Sequence, residues 1–319
     1  MDHRIFDENY IEEAALLAME QYQEECRMVK VLPQEDYTKR INNLLSQMVA
    51  KALGFVAIEG KQLVGYMTGY GPIDNLFGTS KGIFSPIHGH GARREDRNRI
   101  YSKLYQHAAK SWVDQGILSH ALTIYSHDQV TMHSFFRNGF GLRCVDAIMD
   151  IKHPALSYSP HPSIHCREMN MDDLADILPL ENHLAAHLES SPLFMPRKPC
   201  DLEELKKRVV QKKSRIFGVQ MHEEVIAYLE FTHSGENFTC DHPRTINICG
   251  AYLYPTHRGQ GIFKTLLSYA LSELKKDGYV RCGVDFESIN PTADAFWMKY
   301  FTPYTYSVTR RIDERIVKE

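Results

Sequence analysis

At 319 residues the chain exceeds the usual span of one hydrophobic core, so two domains are expected. Its 37 Lys and Arg against 40 Asp and Glu leave a formal net charge of -3, which gives no electrostatic footprint for nucleic acid or an anionic membrane. No stretch reaches the length of a membrane span, Met1 to Asp7 lack a basic start followed by an apolar core, and the seven cysteines show no C-x-x-C spacing, so a cytoplasmic protein with free thiols is expected.

The first clear element is a hairpin over Phe55 to Met67. His88-Gly89-His90 follows with H-x-H spacing. No Cys or carboxylate stands at ligand spacing, so these residues, with His120 and His127 further on, read as loop and strand-end histidines rather than as a metal site. Arg93, Arg94, Arg97 and Arg99 surround Asp96 ahead of a helix over Ile100 to Gln115, and Met132 to Phe136 form the core face of a shorter helix. Residues 152–163 are rich in Pro, Ser and His without apolar periodicity and suit a linker, which sets domains at 1–151 and 164–319.

In the second half the run Ile246 to Pro255 predicts a strand, and Arg258-Gly259-Gln260-Gly261-Ile262 follows it directly ahead of a helix. A strand that breaks into a glycine-rich turn and then a helix aims several unpaired N–H groups and the positive end of the helix dipole at one point, which attracts phosphate. No Lys-Ser or Lys-Thr closes the turn and no third glycine follows, so it is neither a nucleoside-triphosphate loop nor a G-x-G-x-x-G turn. Ile262, Phe263, Leu266, Leu267, Ala270, Leu271 and Leu274 then recur at helical spacing as far as Lys276, and Gly278 ends the segment. Val280 to Glu287 alternates as a strand, with Cys282, Val284 and Phe286 on one face and Asp285 and Glu287 on the other. Asn290-Pro291 opens a short helix carrying Phe296 and Trp297, and the charge run Arg310 to Arg315 predicts a solvated edge strand with local ion pairs.

The two halves repeat. Leu63-Val64-Gly65-Tyr66 matches Val225-Ile226-Ala227-Tyr228 at an offset of 162 residues, and the same offset pairs Tyr101, Leu104, Ala108 and Gly116 with Phe263, Leu266, Ala270 and Gly278. Asp128 and Phe135 fall on Asn290 and Trp297, which indicates a tandem duplication. At that offset Arg258, Gly259 and Gly261 become Asp96, Arg97 and Arg99, so the first copy has lost its phosphate loop, although the arginines leave some positive charge nearby.

Arg258-x-x-Gly261-x-Phe263 resembles the pyrophosphate loop of the GNAT superfamily of acyl-CoA N-acyltransferases, usually Gln/Arg-x-x-Gly-x-Gly/Ala. Phe263 departs from the small final residue. The order strand, loop, helix, strand, Asn and aromatic-bearing helix is also similar, over residues 164 to about 310. The resemblance implies an α/β chain of two tandem GNAT-like domains, each a twisted mixed β-sheet flanked by helices, of which the second binds acetyl-CoA as co-substrate. It further implies that Arg258, Gly259, Gln260, Gly261, Ile262 and Phe263 hold the pyrophosphate. Backbone groups of Ala251, Leu253 and Tyr254 would meet the pantetheine and the acyl oxygen, Asn290 would approach the pantetheine or simply cap its helix, and Phe296 and Trp297 would flank the cofactor.

By the same resemblance an acetyl group passes to an amine of a small molecule or peptide, with no nucleic-acid or membrane partner. Asp285 would act as general base, and Glu287 would share that task or hold the substrate cation; both could equally be solvated carboxylates on an exposed strand face. Many members place a proton-donating Tyr where this chain has Trp297, and indole cannot serve as that acid, so either the thiol leaves through solvent without one or a tyrosine among Tyr252, Tyr254, Tyr300, Tyr304 and Tyr306 substitutes. Trp297 also keeps open a second reading, a CoA-binding sensor or interaction protein without turnover.

Overall fold

The computed structural model describes residues 1–160 and 162–317; His161, inside the stretch read as a linker, lies outside the described residues. The chain divides into two compact units, Met1–Asp146 joined by the chain from Pro303 onward, and Ala147–Thr302.

The first unit opens with β1 (Asp2–Ile5), α1 (Ile11–Met28) and α2 (Thr38–Val49), followed by the hairpin β2 (Phe55–Glu59) and β3 (Gln62–Met67). β4 (Tyr70–Ile73), β5 (Lys81–Ser85), β6 (His90–Ala92), α3 (Arg97–Asp114), β7 (Ile117–Tyr125), α4 (Gln129–Arg137) and β8 (Gly141–Asp150) complete the run, and the unit boundary falls within β8. β1, β2, β3 and β6 form one sheet, while β4, β5 and β7 belong to another. Helix α3 has Ile100, Tyr101, Leu104, Tyr105, Ala108 and Trp112 on its buried stripe, the i, i+4 spacing that lays one face of a helix on a sheet. It serves as the crossover between β5 and β7, which pair in parallel.

The second unit repeats this plan with β9 (His165–Met169), α5 (Leu174–Glu189), α6 (Leu202–Lys212), β10 (Arg215–Met221), β11 (Glu224–Thr232), β12 (Thr245–Leu253), α7 (Ile262–Lys276), β13 (Arg281–Glu287) and α8 (Pro291–Trp297). Its strands run in the order β13-β12-β11-β10-β9, antiparallel except for the parallel pair β12 and β13 that α7 connects. Both units are thus mixed α/β sheets flanked by helices. Among the described residues no helix is long and apolar enough to cross a membrane.

The last strand, β14 (Thr302–Arg311), differs from expectation. It pairs antiparallel with β7, from Thr305↔Tyr125 to Arg311↔Ser119, and its Val308 joins the first unit's core. Residues 303–317 therefore lie in the first unit and not in the second domain expected to contain them. Nor is this an edge strand, because in the sheet order β14 stands between β7 and β8. Arg310 is not simply solvated: its guanidinium lies 5.6 Å from the Tyr105 ring centre and donates to the Tyr105 hydroxyl at 3.1 Å.

The histidines singled out by their spacing are packing groups. His90 Nδ1 bonds the Tyr101 hydroxyl at 3.0 Å and its Nε2 meets Thr123 O at 2.9 Å. Tyr105 donates to His120 Nδ1 at 2.9 Å, and His120 Nε2 donates to Ile117 O at 3.1 Å. Burial pushes His88, His90 and His120 each down to about 4, so all three are neutral in the folded unit. The unfolded chain takes up their protons from about pH 6.5 downward, so this stability is complete above 6.5 and is lost as pH falls to 4, by at most about 3 kcal/mol per ring. Chemical denaturation at pH 7.5 and pH 5 should show the first unit weakening on acidification, and His120→Gln should flatten that dependence.

Candidate functional site

The site begins where two strands stop pairing. β12 and β13 are joined from Thr245↔Arg281 to Ile248↔Val284, yet both continue, β12 to Leu253 and β13 to Glu287. The cause lies on the other edge of β12. Opposite β11 the register jumps from Phe231↔Ile248 to Glu230↔Gly250, so Cys249 is the extra residue of a bulge that bends β12 away. Past the bulge β12 has one edge on β11 and the other open.

Alternation decides which groups face the opening. The Tyr254 amide donates to Ile226 O in β11 at 3.2 Å, so by period two Tyr252 also faces β11, while Ala251 and Leu253 turn their N–H and C=O groups the other way. Leu253 O accepts from Arg258 Nε at 3.2 Å on that open side. Tyr254 therefore departs from its expected role, since its amide is already spent within the sheet.

The turn after β12 is set by two glycines. Gly259 and Gly261 have φ of +78° and +80°, and a Cβ at either would meet nothing within 4 Å, so backbone conformation and not crowding demands glycine there. Gly261 is the N-cap of α7 and offers no side chain to its first turn. Among the described residues no amide from Gly259 to Lys264 donates to a backbone or side-chain acceptor outside α7. These donors point at open space at the positive end of a 15-residue helix.

Facing them is α8. Asn290 caps it, its Oδ1 accepting from Ala293 N at 3.3 Å and from the Thr292 hydroxyl at 2.8 Å. Phe263 of α7 meets Phe296 and Trp297 edge-on at 5.0 and 5.9 Å, which explains a large residue where a small one is expected: it closes the wall between the two helices. A cavity of about 470 Å³ results. Ala251, Leu253, Arg258, Gly259, Gly261, Ile262, Phe263, Asn290, Phe296 and Trp297 all line it, whereas Tyr254, Gln260, Asp285 and Glu287 are not among the described lining residues. Gln260 instead donates to Thr256 O at 3.2 Å.

Asp285 is exposed on β13 and Glu287 is half-buried. Burial first, then the charges of Glu230 and Asp285, push the Cys249 thiol up to about 12, which ties Asp285 to the bulge region where β12 and β13 separate. Of the tyrosines, Tyr252 and Tyr300 line the cavity; burial raises the Tyr252 phenol above its usual range, and Arg258 stands 5.6 Å from its ring centre. Tyr304 and Tyr306 lie on β14 in the first unit.

Sequence reasoning missed Leu184 and His187, which reach the cavity from α5, and Lys264 and Lys299, which give it further positive charge. His187 Nε2 lies 3.4 Å from Asn290 Oδ1. Its position six residues before the loop Leu193-Phe194 carries no motif, and only tertiary packing brings α5 to α8.

The corresponding place in the first unit is filled. There α3 begins at Arg97, so the residues equivalent to the glycine turn form the first turn of that helix, which the bond from Ile100 N to Asp96 O closes. Arg97, only 6 % exposed, donates to Glu24 and to Asp128 at 2.8 Å each. Gln21 Oε1 accepts from Ala92 N at 3.1 Å, occupying the end of β6 that matches the open end of β12. The 162-residue offset holds for α3 and α7, whose C-caps are Gln115 and Asp277, but slips by one on the strand: Gly91 faces Tyr66 while Tyr252 faces Tyr228.

Residues 182–301 match the model of the acetyltransferase (GNAT) family. A GCN5-related N-acetyltransferase from Sphaerobacter thermophilus is similar in fold, with 10% identity and a TM-score of 0.60 over 97% of this chain and 95% of that one. A GNAT-family acetyltransferase from Colwellia psychrerythraea has 12% identity and a TM-score of 0.50 over 98% and 100% of the two chains. The glucosamine N-acetyltransferase region of a fungal multi-domain GH3 β-N-acetylglucosaminidase has 14% identity and a TM-score of 0.57 over 97% of this chain and 38% of that one. A search of curated proteins gives no match.

Gly261→Ala should cost about 1–2 kcal/mol through its left-handed backbone alone. Thermal unfolding should show the loss without added ligand, with Gly259→Ala behaving alike and Gly250, whose φ is ordinary, governed instead by its contact with Glu230.

Proposed function

We propose that this chain, a member of the GNAT acetyltransferase superfamily through its second unit, moves an acetyl group from acetyl-CoA to an amine in the opening between β12 and β13. One observation carries the reading: unspent amides from Gly259 to Lys264 front a cavity lined by Arg258, Lys264 and Lys299, with no carboxylate among its described lining residues. Such a place suits a diphosphate, and CoA carries one.

With the diphosphate held there, the pantetheine would run inward along β12. Ala251 and Leu253 turn backbone groups toward its path, and an N–H aimed at the thioester oxygen stabilises the charge that develops during attack. Anchoring CoA by its distant end supplies orientation, so few side chains need take part in the chemistry. Asp285, the residue after the last β12–β13 pair, would take the first proton of an incoming ammonium, directly or through water, and Glu287 would help hold the cation. That pair of carboxylates favours a cationic amine as acceptor, whether a small molecule or a peptide. The first unit would bind no CoA, because Arg97, Gln21 and the longer α3 occupy the matching place.

Arg258→Glu should weaken CoA binding by about 2–3 kcal/mol, roughly a hundredfold, while Asp96→Arg should leave it unchanged; calorimetric titration separates the two. Thiol release from acetyl-CoA across an amine panel tests turnover. Asp285→Ala should slow it about a hundredfold at pH values where the amine is charged. Full rates in both Asp285→Ala and Glu287→Ala would remove the base from β13. A binding protein without turnover, the reading that Trp297 keeps in view, would show stabilisation by CoA and no amine-dependent thiol.

A further inference from the structure

The proposed reaction leaves a second proton unaccounted for. Once the neutral amine has attacked, the tetrahedral adduct carries a positively charged nitrogen and a sulfur that must depart, and Trp297 has no proton to exchange. The cavity contains two imidazole side chains, His187 and His257, which can both accept and donate a proton. His257 sits directly before Arg258, at the phosphate end. His187 comes from α5 and stands beside Asn290, and with Leu184 and Ala251 it lines the cavity.

The Asn290 contact also fixes which ring nitrogen is free. Asn290 Oδ1 accepts a backbone N–H from Ala293, so that atom is the oxygen, and His187 Nε2 at 3.4 Å can only donate to it. In the neutral ring Nδ1 then carries the lone pair. The other ionisable groups on the cavity wall are Tyr252, His257, Arg258, Lys264, Lys299 and Tyr300, none of them a carboxylate that could take the proton instead.

We propose that His187 is the proton shuttle of the acyl transfer. This rests on the acetyltransferase reading above. The amine nitrogen forms its bond to the acetyl carbon; its proton passes to His187 Nδ1; the carbon–sulfur bond breaks, and the same proton goes to the departing sulfur. The products are the N-acetyl amine and the free thiol of CoA, and the ring returns to its starting state. One group thus fills the acid role that Trp297 vacates, while Asn290 keeps the ring oriented.

The test compares the full-length wild type with His187→Gln, which retains a donor for Asn290, using acetyl-CoA and the best amine of the panel. Expected is a fall in kcat of about a hundredfold or more with CoA affinity held within about threefold, together with loss of the acidic limb of the kcat–pH profile. Unchanged kcat, or a fall matched by an equal loss of CoA binding with the pH profile intact, would overturn the assignment. A wild type that binds CoA and releases no thiol with any amine would instead defeat the acetyltransferase reading, and the shuttle with it.

Discussion

Everything at the site follows from the point at which β12 lets go of β13. A sheet normally spends every interior backbone group on a neighbour, and an unpaired group buried away from water is costly. Here one extra residue, Cys249, bends the strand outward, so that past Ile248↔Val284 the backbone edge of β12 away from β11 is no longer paired with β13. The glycine turn and the start of α7 extend that row with further unspent amides. The opening suits a long, polar, flexible ligand able to hydrogen-bond along a strand edge and end in a charged group. Side chains give the cavity its walls and its charge; backbone gives it its specificity of shape.

The first unit shows the same architecture with that opportunity withdrawn. Where the second unit has a left-handed glycine, the first begins its helix three residues sooner. Where the second leaves space, the first inserts Arg97 between Glu24 and Asp128 and Gln21 against β6. A buried arginine is tolerable only with its charge matched and its donors used, and both conditions are met. The protein's own groups thus stand where a ligand's polar atoms would otherwise be needed, which preserves the core while removing the vacancy.

Local signals were legible in the sequence and tertiary ones were not. Apolar spacing set α7 at Ile262 to Lys276, because a helix stripe and its caps are written within a dozen residues. Residues of the turn and of α8 that line one cavity could be picked out for the same reason, since each lies a few positions from a strand or helix end. The destination of β14 was hidden: its alternation says that it is a strand, but nothing within it says which sheet it enters. Tyr254 failed because one bond to Ile226 O inverts which backbone groups face the opening. His187 was invisible because a lone histidine on α5 acquires meaning only from α8 and β12 beside it.

The placement of β14 bears on how the chain is assembled. Thr123 and Ser307 share a hydrogen bond across a separation of 184 residues, so the sheet containing β7 lacks one of its inner members until residues 302–311 are present. The middle portion, 147–302, is continuous and can collect all its own strands earlier. The first unit is therefore completed by a strand that follows the whole middle unit, a pairing of high sequence separation. A gene cut at residue 151 would separate that early segment from its missing strand, so the two halves of the duplication are not interchangeable modules.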